Sequence, residues 1–549
     1  MSSVNFMENA THEVNFMGSL QQQSNYELSN ELTNLVHSEN GALMHESTFN
    51  PLLDFNFKIS SYRNDKLLGM NDWIRVLSDN SILPKTKIKY LFYLRDAREG
   101  VGERDLFRSS LLATCRSYPQ LMLPLLKYVP EYGRWDDLVW LLDMVDAEDF
   151  PSIQKEIKSI IHNQWIKDIE DTNRGKQISL MAKWLPSTNA SSKTTIRRGK
   201  MIARVLGLNE SIYRKALSKL RERLNVTETN LSAKTYEKIN YSEVPSKAAL
   251  LYKNAFQRND ELRYQEYLQG LKNGTEKVNA SVTMPYEIVR KYCQQLNINL
   301  GSAYYNRSTK IVIDEVLEQA WKNIPCEDIA STLVVCDSSG SMCQPVSGST
   351  KAQCIEVSNA LAIFFAEHSK GEFKDKFITF SSRPQFVDLS KCNTLAHKIQ
   401  LASLHDDCSN TNLYAVFKLI LETAIKGNMK SEDLPKNILI VSDMHFDGCC
   451  GRNYETLVET IRREYSEAGY EMPCLIWWNL TNRATVFPEI KGNCKLISGF
   501  SANNYKMIMS DKIDPWLALM DILNSKRYDV IDKTIDNLEF TMSSEGYNA

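Results

Sequence analysis

Between positions 51 and 325, apolar residues recur at three- and four-residue steps. Ile88, Leu91 and Phe92, with Arg95 in step, mark one stripe, Phe107, Leu111 and Cys115 the next, and Leu138, Leu141, Leu142 and Val145 a third. Leu217, Leu220 and Leu224, then Tyr264, Tyr267 and Leu271, continue the series. Spacing of this kind lines one face of a helix, so each run predicts an amphipathic helix with a buried side. Pro84, Pro119, Pro124, Pro130, Pro151 and Pro186 fall between or at the edges of these runs, where proline starts or stops helices. The expectation is a set of stacked helical hairpins over 51–326, without a clean fixed period.

After Pro325 the pattern changes. Thr332–Cys336, Phe377–Phe380, Ile438–Val441 and Cys474–Trp478 are short, continuous apolar runs rich in β-branched and aromatic residues. Such runs suit strands buried on both faces of a parallel sheet. Helical stretches lie between several of them; the clearest opens at Thr350-Lys-Ala-Gln353, a capping-box pattern, and carries Cys354, Val357, Leu361 and Phe364 on one face. Alternating strands and helices predict a doubly wound, Rossmann-like α/β domain over 327–502. A helical segment follows over 503–540, with Trp516, Leu519, Ile522 and Leu523 on its apolar side, and then a tail, 541–549. Residues 1–50, rich in Asn, Gln, Ser and Glu, read as a disordered or weakly ordered polar terminus.

Composition adds limits. At 549 residues the chain exceeds one hydrophobic core, and 43% hydrophobic with 24% charged residues is the balance of a folded protein. A formal charge of −2 exerts no global pull on nucleic acid or membrane, so either would need a local patch. No apolar run reaches the length of a bilayer span, and the first residues lack a secretory signal pattern, so no membrane partner is expected. Twelve cysteines without a C-x-x-C pair, several in apolar segments, predict reduced thiols. The expected setting is intracellular, foremost the cytoplasm, with the nucleus or a virus particle as the alternatives.

The run ending at Cys336 leads directly into Asp337-Ser338-Ser339-Gly340-Ser341. In an open α/β sheet ligands gather at the carboxyl ends of strands. Asp337, Ser339 and Ser341 offer a carboxylate and two hydroxyls from one turn; Ile438–Ser442 delivers Asp443 to the same edge, and Ser409-Asn-Thr411 adds a hydroxyl ahead of a helix. An all-oxygen donor set suits a hard cation, Mg2+ or Mn2+, and argues against zinc or copper. Two carboxylates and three hydroxyls leave an open position for an acidic side chain or a phosphate. His445 and Asp447 follow Asp443 and are read as rim or solvated loop residues. This loop resembles the D-x-S-G-S signature of the metal-ion-dependent adhesion site in von Willebrand A domains, with the Thr and Asp elements in the expected order. The resemblance implies that fold for the α/β part and Asp337, Ser339, Ser341, Thr411 and Asp443 as metal ligands.

Between 193 and 223 stand ten basic residues, Lys193, Arg197, Arg198, Lys200, Arg204, Arg214 and Lys215 among them, against two acidic ones. The stripe reads either as a phosphate-binding face, with Trp184 and Tyr213 near enough in sequence to stack bases, or as a solvated helix face with acidic partners. Tyr93-Leu-Arg95-Asp96-Ala-Arg98-Glu-Gly100-Val-Gly102-Glu103-Arg104 is similar to the F-R-D-x-R-x-G-K-G-E-R segment of the Ro autoantigen and its relatives, the telomerase, Ro and vault module; Val101 stands where that family has Lys. Tyr132–Asp137, Lys183–Ser187 and Val244–Ser246 resemble an uncharacterised branch of the same architecture. The resemblance implies a HEAT-like helical repeat joined to the α/β domain, and small structured or single-stranded RNA as partner. From the residues alone, Arg95, Asp96, Arg98, Glu103 and Arg104 pair with one another around a Gly100–Gly102 turn, and both motifs are architecture first.

Three functions follow. The first is a non-enzymatic RNA-binding or ribonucleoprotein component with a metal-dependent docking site for an acidic partner. The second is a metal-dependent protein scaffold without RNA. The third, a metal-dependent hydrolase, ranks last: no activated nucleophile, phosphate-cradling G-x-x-x-x-G-K-[ST] loop or G-x-S-x-G elbow is present, and His445 is the only base near the metal cluster.

Overall fold

The computed structural model describes residues 34–544 except 39–41, 64, 279–282, 302–309, 327–329, 347–351, 381–383, 406–411, 445, 447–455, 481–485, 491, 500–506, 509–511 and 513. The predicted stripes form helices. Pro84–Arg95, Asp105–Ser117 and Trp135–Met144 bury Ile88, Leu91 and Phe92, then Phe107, Leu111 and Cys115, then Leu138, Leu141 and Leu142. Proline opens the helices at 51, 84, 119, 151, 285 and 515, where its missing N–H costs nothing. No helix among the described residues is long and apolar enough to cross a membrane.

The α/β part holds a six-stranded sheet of β3 (Thr332–Asp337), β4 (Lys376–Phe380), β5 (Gln385–Asp388), β6 (Asn437–Ser442), β7 (Cys474–Asn479) and β8 (Cys494–Ser498), in the order β5-β4-β3-β6-β7-β8. All neighbours are parallel except the β4–β5 pair at one edge. Alternate residues feed two cores: Val334, Cys336, Leu439 and Val441 join one, and Leu333, Val335, Ile438 and Ile440 the other. The helices Cys354–His368 and Leu395–Ser403 cover the first face; Leu413–Lys426 and Leu457–Glu467 cover the second. Strand order turns back between β3 and β6, the switch point at which such sheets form a crevice.

Three expectations change. The described residues begin at Asn34, inside the stretch predicted to be weakly ordered, and there β1 (Leu35–His37) and β2 (Leu43–His45) form a hairpin. His45 exchanges backbone hydrogen bonds with Phe487, and Ala42 and Met44 are buried with Phe446 and Phe487 in the second core. The hairpin's strands, Leu-Val-His and Leu-Met-His, are short apolar runs within a polar stretch. The helix expected from Thr350 starts at Cys354, and its box is one turn later: the Gln353 N–H donates to Glu356 at 2.9 Å. Thr350 lies outside the described residues. The C-terminal helix Asp529–Ser544 runs into the stretch expected as tail.

The helical part leaves and returns to the sheet. Ser60 bonds to Ser498 at the end of β8, and the Asn479 side chain donates to the Phe57 carbonyl at 2.9 Å. At its far end Trp321 donates to Glu367 at 2.7 Å, and the buried Glu318 accepts from Tyr292 and from the Leu395 and Ala396 N–H groups that open the helix Leu395–Ser403. The C-terminal helices cross back: Arg527 reaches Asp96 at 2.8 Å, and Lys89 reaches Asn524 and Asp532.

Candidate metal centre and basic face

Asp337 ends β3 and Ser442 ends the adjacent parallel strand β6, with Asp443 next in the chain. Asp337, Ser339 and Asp443 are all buried. The Ser442 hydroxyl donates to Asp337 Oδ2 at 2.6 Å, and the Ser339 N–H donates to Oδ1 at 2.9 Å. The Ser339 and Ser341 hydroxyls stand 2.9 Å apart. Burial, and then the neighbouring charge of Asp443, push the Asp337 carboxyl up from its ordinary range, against the pull of the serine hydrogen bonds.

The loop geometry is fixed from below. Met342 is fully buried, and its N–H closes a turn on the Ser339 carbonyl at 3.0 Å. Ser358, on the helix Cys354–His368, meets Cys336 Sγ and donates to the Val441 carbonyl, bridging the two strands one residue before the cluster. Met444 holds a φ of 65°, a left-handed conformation that costs a side-chain-bearing residue of order 1 kcal/mol or more. Its N–H to Ser442 Oγ at 3.1 Å and its buried side chain offset that cost and aim Asp443.

The structure therefore brings Asp337, Ser339, Ser341 and Asp443 to one sheet edge. Thr411, His445 and Asp447 lie outside the described residues. Two buried carboxylates of like charge beside two hydroxyls form a donor set that fits a hard divalent cation. Ser442 was missed; its signal was its position, paired across from Asp337 at the end of the neighbouring strand.

The basic stripe divides in two. Arg197 and Arg198 both bind Asp143, at 2.6 and 2.9 Å, and Lys200 pairs with Glu210 at 3.1 Å. Arg223 donates to the Gly175 carbonyl, and Arg221 to the Ala182 and Leu185 carbonyls and Ser187 Oγ. Burial lowers the pKa of Arg221, which has no carboxylate partner among the described residues. Lys193, Arg204, Arg214 and Lys215 are exposed, and none forms an ion pair among the described residues. Tyr213 is no stacking platform: it is fully buried, stacks on Trp165 at 5.8 Å and donates to the Pro186 carbonyl. A leucine-spaced stripe puts it on the core face of its helix. Trp184 is partly exposed, with the Arg134 guanidinium 4.2 Å from its ring centre.

The arginine and glycine segment is architectural, but its pairs are made with other segments. Arg95 and Arg108 share the buried Asp137 at 2.9 and 2.7 Å, Asp96 holds Arg527, and Glu103 pairs with Arg63.

Fold and cluster together define a class: a helical segment closed onto an α/β domain that carries an oxygen-rich site at its switch point. Residues 331–525 match a family described as a domain of unknown function (DUF7788), and residues 164–329 match a second domain of unknown function (DUF2828). An uncharacterised protein of Acanthamoeba polyphaga mimivirus is 29% identical over 90% of this chain and 88% of its own. The crystal structure of the Ro (RSR) protein of Deinococcus radiodurans aligns over 85% of this chain and 93% of that one, at 12% identity and a TM-score of 0.36. That likeness is too distant to transfer function.

Proposed function

We propose that this is a non-enzymatic binding protein that docks an acidic group through a divalent cation, Mg2+ or Mn2+, on its α/β domain, and that its helical part binds RNA. The observation that carries the docking reading is the meeting of Asp337 and Asp443 at the ends of adjacent parallel strands, buried, with Ser339 and Ser341 beside them. The resemblance of the loop to the metal-ion-dependent adhesion site of von Willebrand A domains supports it, with Thr411 as the fifth ligand. When bound, the cation would supply an open coordination position for a carboxylate or phosphate oxygen. The chain's own residues hold the donors in place: Ser442 orients Asp337, and Met444 fixes the turn after Asp443.

The RNA reading is favoured by the exposed Lys193, Arg204, Arg214 and Lys215, whose charges have no ion-pair partner among the described residues. Phosphates would supply the counter-charge, with affinity that falls as salt rises.

The test is purification from the native setting with Mg2+ or with a chelator, with and without nuclease. A protein retained by wild type in Mg2+, released by chelator, lost from Asp337→Ala and unaffected by nuclease supports docking. The same set of proteins under all conditions contradicts it.

A further inference from the structure

The basic face contains a groove. Ser211, Arg214, Lys215 and Ser218 recur at three- and four-residue steps along the helix Glu210–Arg223, and all line one cavity of about 650 Å3. The facing wall is Glu228, Thr229 and Ser232, from the helix Thr227–Ala233. Arg221 and Ser187 line this cavity and also a second of about 350 Å3, which contains Trp184 and Arg198.

Arg221 is held rigidly. Its Nε and both terminal nitrogens donate to Ala182, Ser187 and Leu185, and the guanidinium has five N–H groups, so donors remain. The segment carrying Ser187 is itself fixed by close approach: a Cβ on Gly199 would sit 2.8 Å from the Ser187 carbonyl oxygen. In the first cavity Arg214, Lys215 and Arg221 face one carboxylate, Glu228, across a ring of hydroxyls; Asp136 lines the second, where Arg108 pairs with it at 2.8 Å.

We infer that this groove binds a nucleoside phosphate, with the phosphate held by Arg214, Lys215 and Arg221 and the base against Trp184. Guanidinium and hydroxyl donors match phosphate oxygens, and a preset Arg221 loses little side-chain freedom on binding. An indole accepts any base on its π-face; the Arg134 guanidinium already covers one face of Trp184, so the base takes the other. The nucleotide is either one unit of an RNA strand or a free nucleotide. For the strand, the inference rests on the RNA reading above; for the phosphate site it does not.

The full-length protein is titrated with a short single-stranded RNA, with AMP and with inorganic phosphate, by tryptophan fluorescence and by competition. The combined Arg214→Glu and Lys215→Glu variant is compared with Trp184→Leu and with Lys155→Glu, an exposed charge outside the groove. The expected result is competition among all three ligands and a loss of at least about ten-fold in the double variant. Trp184→Leu weakens RNA and AMP but not phosphate, and Lys155→Glu changes nothing. RNA binding that the double variant retains, with no competition by AMP, overturns the inference and leaves the RNA reading standing. AMP or phosphate binding lost in the double variant, without RNA binding, keeps the inference and removes the RNA reading. Failure of all three ligands to bind overturns both.

Discussion

The Ser442 hydroxyl donates to Asp337 Oδ2 at 2.6 Å and accepts from the Met444 N–H at 3.1 Å, so one side chain sets both carboxylates of the cluster. Ser442→Ala leaves Asp337 buried without that donor. The expected cost is about 1–3 kcal/mol of stability. Metal affinity is expected to fall about ten-fold or more, as when a ligand's orienting partner is removed. Urea unfolding and a Mn2+ titration of the same variant check the two effects, and undiminished metal affinity would show that Ser442 orients nothing.

Arg527 and Asp96 join the C-terminal helices to the first helical hairpins. Asp96 is fully buried, whereas the Arg527 side chain keeps 15% exposure. Arg527→Ala should therefore cost more than Asp96→Ala, about 3 kcal/mol or more, because it takes the guanidinium from a buried carboxylate and leaves it with the Arg98 N–H and the Tyr528 hydroxyl. Thermal unfolding of both variants gives the order, and equal losses would contradict it.

Gly100 and Gly102 were expected simply to make a turn, but their demands differ. A Cβ on Gly100 would lie 2.2 Å from the Tyr93 carbonyl oxygen, while Gly102 has a φ of 79° and a Cβ there would meet only the Ala97 Cα, at an ordinary contact distance of 3.7 Å. Gly102→Ala should cost about 1 kcal/mol from backbone conformation alone. Gly100→Ala should cost clearly more, since backbone must shift. Chemical denaturation of the pair measures the difference.

The hairpin of β1 and β2 buries Ala42 and Met44 against the α/β core. A chain beginning at Pro51 should lose about 2 kcal/mol or more of stability. It should also show faster proteolysis near Phe446, whose carbonyl accepts from the Ser38 hydroxyl. An unchanged unfolding midpoint would mean that the hairpin contributes nothing.

Periodicity predicted the helices and four sheet strands because those segments bury one face, or two, completely. β5 escaped because it is a four-residue antiparallel edge with exposed Gln385 and Asp388, and β8 because Lys495 interrupts it; that lysine is buried and donates to the Ile508 carbonyl. The meeting of Asp337, Ser339, Ser341 and Asp443 was legible because these residues fall in a short loop and directly after a strand. The basic stripe was not, because charge along a sequence does not say which side chains already have partners. Arg197 and Arg198 converge on Asp143, a residue 54 positions before Arg197. Reversing those two charges would place carboxylates beside Asp143 and disturb folding, so Arg214 and Lys215 are the proper test of nucleic-acid binding.

A calorimetric or Mn2+ spin-resonance titration of the purified chain and of Asp337→Ala, Asp443→Ala and Thr411→Ala asks whether the cluster at the ends of β3 and β6 binds a cation. One divalent-cation site per chain is expected in wild type, lost in both aspartate variants and weakened in Thr411→Ala. Cation binding of equal affinity and stoichiometry in wild type and both aspartate variants would contradict it, as would no binding to wild type.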